Sequence, residues 1–139
     1  MQPTGHSYGG LFALYPLDQR PALFQRIVAA GPVAGWDHRL LFNARERLRT
    51  LPGGVRLDLS AGSDQDATDD TAAFAMLLDE LKPGLDYRFT RYPGENHNSV
   101  RLVSFPGGLY WVYRASGMKK NSIWALAAGA LVIIVILVQ

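Results

Sequence analysis

Apolar residues fall along the chain in short bursts whose spacing alternates between a helical and an extended period. After a glycine-rich start, Leu11, Phe12 and Leu14 supply the apolar surface of a helix over 9–15, which stops by Pro21. Ile27, Val28, Ala29 and Ala30 form a continuous apolar run closed by Gly31 and Pro32, which predicts a buried parallel strand over 26–30. A loop through Trp36 and Asp37 leads to a Leu- and Arg-rich helix over 38–49, and Pro52-Gly53-Gly54 breaks the chain. Residues 55–61 alternate apolar and polar, as a strand does. An acidic loop over 62–68 follows. Asp69 or Asp70 then caps a helix over 71–81, where Phe74, Leu77, Leu78 and Leu81 keep helical spacing. A strand over 87–92, a loop over 93–98 and a mixed segment over 99–112 complete the pattern. The helical part of that last segment is expected to break at Pro106-Gly107-Gly108.

Strands alternating with helices predict an α/β fold, a mostly parallel sheet with flanking helices and right-handed crossovers. Composition shifts sharply near Gly117, so residues 1–116 read as the domain and 117–122 as a basic juxtamembrane segment. Residues 123–138 form an unbroken apolar run with no polar face. As a helix it measures about 24 Å at ~1.5 Å per residue, against a hydrocarbon core of about 30 Å. A transmembrane helix is the expectation. Arg114, Lys119 and Lys120 precede it, so the positive-inside rule places the N-terminal domain in the cytoplasm of a single-pass membrane protein. Met118-Lys119-Lys120-Asn121-Ser122 ahead of the run also reads like the opening of a signal anchor. A tail-anchored enzyme and a chimeric gene product both fit that pattern.

Charge and composition narrow the chemistry. The 139 residues are 48% hydrophobic, enough for a real core, and a net charge of +2 is too small and scattered for a nucleic-acid partner. With no cysteine there are no disulfides, no thiol catalysis and no thiolate metal site. No metal site is expected.

Gly5-His6-Ser7-Tyr8-Gly9 has the G-x-S-x-G form of a nucleophile elbow, a strained strand-to-helix turn that exposes a serine hydroxyl. Serine needs a base to take its proton. Ser7 is therefore the candidate nucleophile, with the backbone N–H of Tyr8 facing a developing oxyanion. His97 lies in the loop after the last expected strand and is the candidate base. His6 and His38 sit at no expected strand end. The acid should follow the strand that ends at Ala61. Asp64 is favoured over Asp66 because it is nearer that end, and Glu95 is an outside alternative. Serine, acid and histidine thus each occupy a strand-end loop, separated by helices, in the order Ser, Asp, His.

Gly5-His6-Ser7-Tyr8-Gly9-Gly10-Leu11-Phe12-Ala13-Leu14-Tyr15 resembles the elbow of the family that includes esterase D and the enterochelin (siderophore) esterases. The resemblance continues through residues 20–24 and the Gly31-Pro32…Trp36-Asp37 loop, and returns at Pro93-Gly94-Glu95-Asn96-His97-Asn98-Ser99-Val100. It covers residues 1 to about 116 and implies the C-terminal part of an α/β-hydrolase sheet. By this likeness Ser7 is the nucleophile, His97 the base and Trp36 a wall of the substrate pocket. The implied substrate is a small or siderophore-like ester, hydrolysed without a cofactor. Family members carry several strands before the elbow, so the chain reads as truncated at its N-terminus, lacking the strand under Ser7 and the second oxyanion donor. A non-enzymatic, membrane-anchored hydrolase remnant is the competing expectation.

Overall fold

The structure, a computed structural model, describes residues 3–63 and 65–114, with side chains omitted for 65–68. The expected acid Asp64 and the apolar run 123–138 lie outside the described residues. Among the described residues, no helix is long and apolar enough to cross a membrane.

Four strands form one wholly parallel sheet: β1 (Thr4–His6), β2 (Arg26–Ala30), β3 (Arg56–Ala61) and β4 (Asp86–Arg91), in the spatial order β1-β2-β3-β4. Their registers pair Gly5 with Ala29, Val28 with Asp58, and Asp58 with Arg88. Helices α1 (Tyr8–Gln19), α2 (Trp36–Asn43), α3 (Arg45–Arg49) and α4 (Gln65–Leu81) connect successive strands, and α5 (Val100–Tyr113) follows β4. When each strand is added beside the last in the same direction, right-handed crossovers put every connecting helix on one face. The core follows that rule. Leu14 and Leu17 of α1, Leu48 of α3 and Phe74 and Leu78 of α4 pack with Ile27, Ala29, Leu57 and Leu59 of the sheet. Strand alternation sends Val28 to the opposite face, where Trp111 and Val112 of α5 cover it.

Several elements depart from expectation for physical reasons. A strand does underlie Ser7: β1 is three residues long and pairs with β2, with Ser7 N–H donating to the Ala30 carbonyl at 3.1 Å. The expected helix over 38–49 is split at Ala44 (φ −82°, ψ 22°), and the start of its first half is irregular, with Asp37, His38 and Arg39 in left-handed backbone angles (φ 51°, 53° and 61°). Helix α4 starts earlier than expected, at Gln65, so Asp69 and Asp70 lie inside it rather than capping it. Asp70 instead pairs with Arg39 at 3.4 Å, and Gly35 leaves room for that carboxylate, which a Cβ there would meet at 2.0 Å.

The polar positions of β3 are not solvent-facing. All six of its residues are buried, and Arg56, Asp58 and Ser60 lie beneath α5. Asp58, only 1% exposed, is ion-paired with Arg88. Burial pushes its carboxyl above the usual carboxylate range, and Arg88 offsets part of that. Arg56 donates to Asp86 at 3.1 Å and to the carbonyl of Arg114 at 2.7 Å, with its guanidinium 5.0 Å from the Trp111 ring. Above this layer α5 runs unbroken through Pro106-Gly107-Gly108. An interior proline costs about 3 kcal/mol. Gly108, however, gives the close approach the layer needs, since a Cβ there would lie 2.4 Å from Asp58 Oδ2.

Candidate active site

Ser7 stands between β1 and α1 with φ 57° and ψ −121°, a conformation that L-residues rarely adopt and that costs about 1–3 kcal/mol. The turn is tight for a definable reason. A Cβ on Gly5 would sit 2.0 Å from the Gly9 carbonyl oxygen, and one on Gly10 would sit 3.1 Å from Pro32. Gly9 faces open space, so Gly5 and Gly10 are the two glycines the packing demands. The Ser7 side chain makes no capping bond to α1. The N–H of Tyr8 opens that helix, in the first turn, where amides have no intrahelical acceptor. The positive end of the helix dipole adds to its attraction for an anion.

His97 lies in the turn between β4 and α5. Its loop is held from several sides. Asn96 Oδ1 accepts the amides of Asn98 and Ser99 at 2.9 Å each, and the Asn96 amide donates to Ser99 Oγ at 2.9 Å. The loop after β3 joins it, with Ser63 N–H donating to the Glu95 carbonyl at 2.6 Å and Gly94 N–H donating to Ser63 Oγ at 3.0 Å. Gly62 fits because a Cβ there would meet the Glu95 carbonyl at 2.5 Å. His97 itself rests over Gly31, whose missing Cβ would lie 3.2 Å from Nδ1. Gly31 has φ +49° and directly follows Ala30, the residue whose carbonyl holds the Ser7 amide. The elbow and the histidine loop therefore meet at the carboxyl ends of β1 and β2.

Trp36 is 53% exposed and meets the ring of Tyr8 edge-on, with centroids 6.1 Å apart. Tyr8 is the residue next to Ser7, and the two exposed rings form an open aromatic shelf beside it. Of the other acids considered, Glu95 is half-buried in the histidine loop, while Asp66 has only its backbone described, in α4. His38 lies on the exposed left-handed turn at the start of α2. His6 is the correction: it ends β1, and its Nε2 lies 2.6 Å from the carbonyl oxygen of His97. Nothing in the one-dimensional pattern signals that contact, since the two residues are 91 positions apart. Among the described residues no cluster of three or more His, Asp and Glu side chains is placed to hold a metal ion.

This arrangement has relatives. The chain is 44% identical over 43 residues to a siderophore enterobactin esterase of Emericella nidulans, a stretch covering 31% of this chain and 14% of that protein. Its fold superposes on the BES protein from Bacillus cereus with a TM-score of 0.72 at 25% identity, over 81% of this chain and 44% of that one. The likeness is to the enterochelin esterase-like hydrolase family. An IroE-like serine hydrolase from Shewanella oneidensis gives a TM-score of 0.65 at 27% identity, over 76% of this chain and 37% of that structure. The chain thus spans less than half the length of these two structures, and no family model matches it. The expected α/β fold, with a parallel sheet and flanking helices, is the one found and the one shared with these structures.

Proposed function

We propose that the chain carries the catalytic residues of a serine ester hydrolase. The observation that carries this reading is the meeting of the strained Ser7 turn with the His97 loop at one end of the parallel sheet. In the proposed reaction, His97 takes the proton of Ser7 Oγ as that oxygen bonds to the acyl carbon. The N–H of Tyr8 donates to the oxyanion that forms, and His97 then protonates the departing alcohol. Water, deprotonated by His97, then bonds to the acyl carbon; the acyl–Oγ bond breaks, His97 returns the proton to Ser7 Oγ, and the acid leaves. Asp64 is the proposed acid that orients His97. Support comes from its neighbour Ser63, which is bonded to the histidine loop. Trp36, against Tyr8, is the proposed pocket wall, where a flat exposed ring can cover an acyl or aryl group.

A small or siderophore-like ester is the proposed substrate, by likeness to the siderophore enterobactin esterase. The proposed site needs no cofactor, because every step above uses side chains and backbone amides. Residues 123–138 are proposed to anchor the protein as a single-pass helix at the C-terminal end of this hydrolase unit. The domain then faces the cytoplasm, on the side of Arg114, Lys119 and Lys120.

The test is hydrolysis of p-nitrophenyl acetate by the full chain. Turnover should be slow, since one oxyanion donor is identified and each such donor typically contributes ~10²–10³ in rate. Ser7→Ala and His97→Ala should each remove it. A rate unchanged by either substitution rejects the assignment.

A further inference from the structure

His6 immediately precedes the proposed nucleophile, and its half-buried ring has a defined partner. Its Nε2 lies 2.6 Å from the backbone carbonyl oxygen of His97, which can only accept, so Nε2 carries the proton and donates. The two imidazoles stand 4.7 Å apart, tilted by 44°. Burial holds His6 below the ordinary histidine range; the bond to the His97 carbonyl works against that and offsets part of it, while the electrostatic influence of His97 and Arg101 adds to the lowering. Other bonds secure the flanks of the loop, among them Gly94 and Glu95 to Ser63, and Asn96 to Asn98 and Ser99. The His6 bond reaches the peptide of His97 itself.

We propose that His6 is a positioning residue, whose Nε2–H ties the peptide of His97 to the strand that carries Ser7. The inference rests on the reading of Ser7 and His97 as nucleophile and base. The physical need is plain. The two groups come from loops 90 positions apart in sequence, and the base sits on a segment without regular structure. A displacement of about 1 Å between reacting groups can cost ~10²-fold in rate. A bond from the residue beside the nucleophile to the backbone of the base holds that separation directly, without passing through the rest of the sheet.

The experiment compares His6→Met, which fills similar space without a donor, with His6→Gln, whose amide can donate to the same carbonyl. Full-length protein is assayed on p-nitrophenyl acetate, and the unfolding midpoint of each variant is measured alongside. His6→Met should lower kcat by ~10²-fold with KM little changed, and His6→Gln should recover at least tenfold of that loss. Equal kcat in the two variants overturns the proposal, whether both match the parent or both fall together. A second readout separates this failure from failure of the hydrolase reading. In ¹⁵N spectra the His6 Nε2–H should exchange slowly with solvent, whatever the activity. A proton that exchanges as fast as that of free imidazole overturns the tether even in an active enzyme. A protected proton in a chain whose rate ignores Ser7→Ala overturns the hydrolase reading instead.

Discussion

The Ser7 amide donates to the carbonyl oxygen of Ala30 at 3.1 Å, and that one bond aligns the nucleophile turn with the exit of β2. Gly31 follows at once, with φ +49° and the His97 ring where its Cβ would be. Gly31→Ala should therefore do two things. The left-handed backbone costs an L-residue roughly 1–2 kcal/mol, read as a lower urea midpoint. The added methyl, 3.2 Å from Nδ1, also pushes the imidazole away, so kcat should fall ~10²-fold. A stability loss without a loss in kcat would show that His97 is not held by this contact.

Strain at Ser7 gives a prediction of opposite sign. Glycine adopts φ 57° and ψ −121° without the Cβ penalty, so Ser7→Gly should raise stability by about 1–3 kcal/mol while removing hydrolysis. Paired thermal unfolding and activity measurements check it. A lower midpoint would mean that the turn is not strained.

His6 links stability to pH. Its folded pKa lies below the ordinary value of about 6.5, so the neutral ring is the form that folding favours. Its contribution is present above pH 6.5 and is lost as pH falls through the lower folded value. The groups facing it are His97, across the ring contact, and Arg101 on α5. Unfolding free energy should decline below pH 6.5, and His6→Gln should flatten that decline. Identical slopes in both proteins would remove His6 as the source.

Much of this fold is legible in the sequence because burial leaves a periodic trace. Residues 26–30 form an apolar run and become the buried β2, while Phe74, Leu77, Leu78 and Leu81 face the core from α4 as their spacing predicts. The misses arise where tertiary contacts outweigh local preference. Asp58 alternates with apolar neighbours like a surface residue, yet Arg88 from the next strand lets it be buried. Pro106 and Gly108 look like a break, yet α5 continues, and Gly108 is the residue that packs closely on Asp58. Asp69 and Asp70 look like caps, but Asp70 is drawn to Arg39 from within the helix. At the site, Ser7 and the His97 loop are readable as motifs. Gly31 and His6 are not, because their roles depend on what the fold brings beside them.

Covalent labelling tests the central claim most directly. A fluorophosphonate reacts with a serine only when a neighbouring base has activated it, and the adduct can be located by peptide mass spectrometry. The full chain should carry one phosphonyl group, on Ser7, and His97→Ala should abolish it without unfolding the protein. No adduct on Ser7 in the folded parent chain, or equal labelling of parent and His97→Ala, would contradict the account.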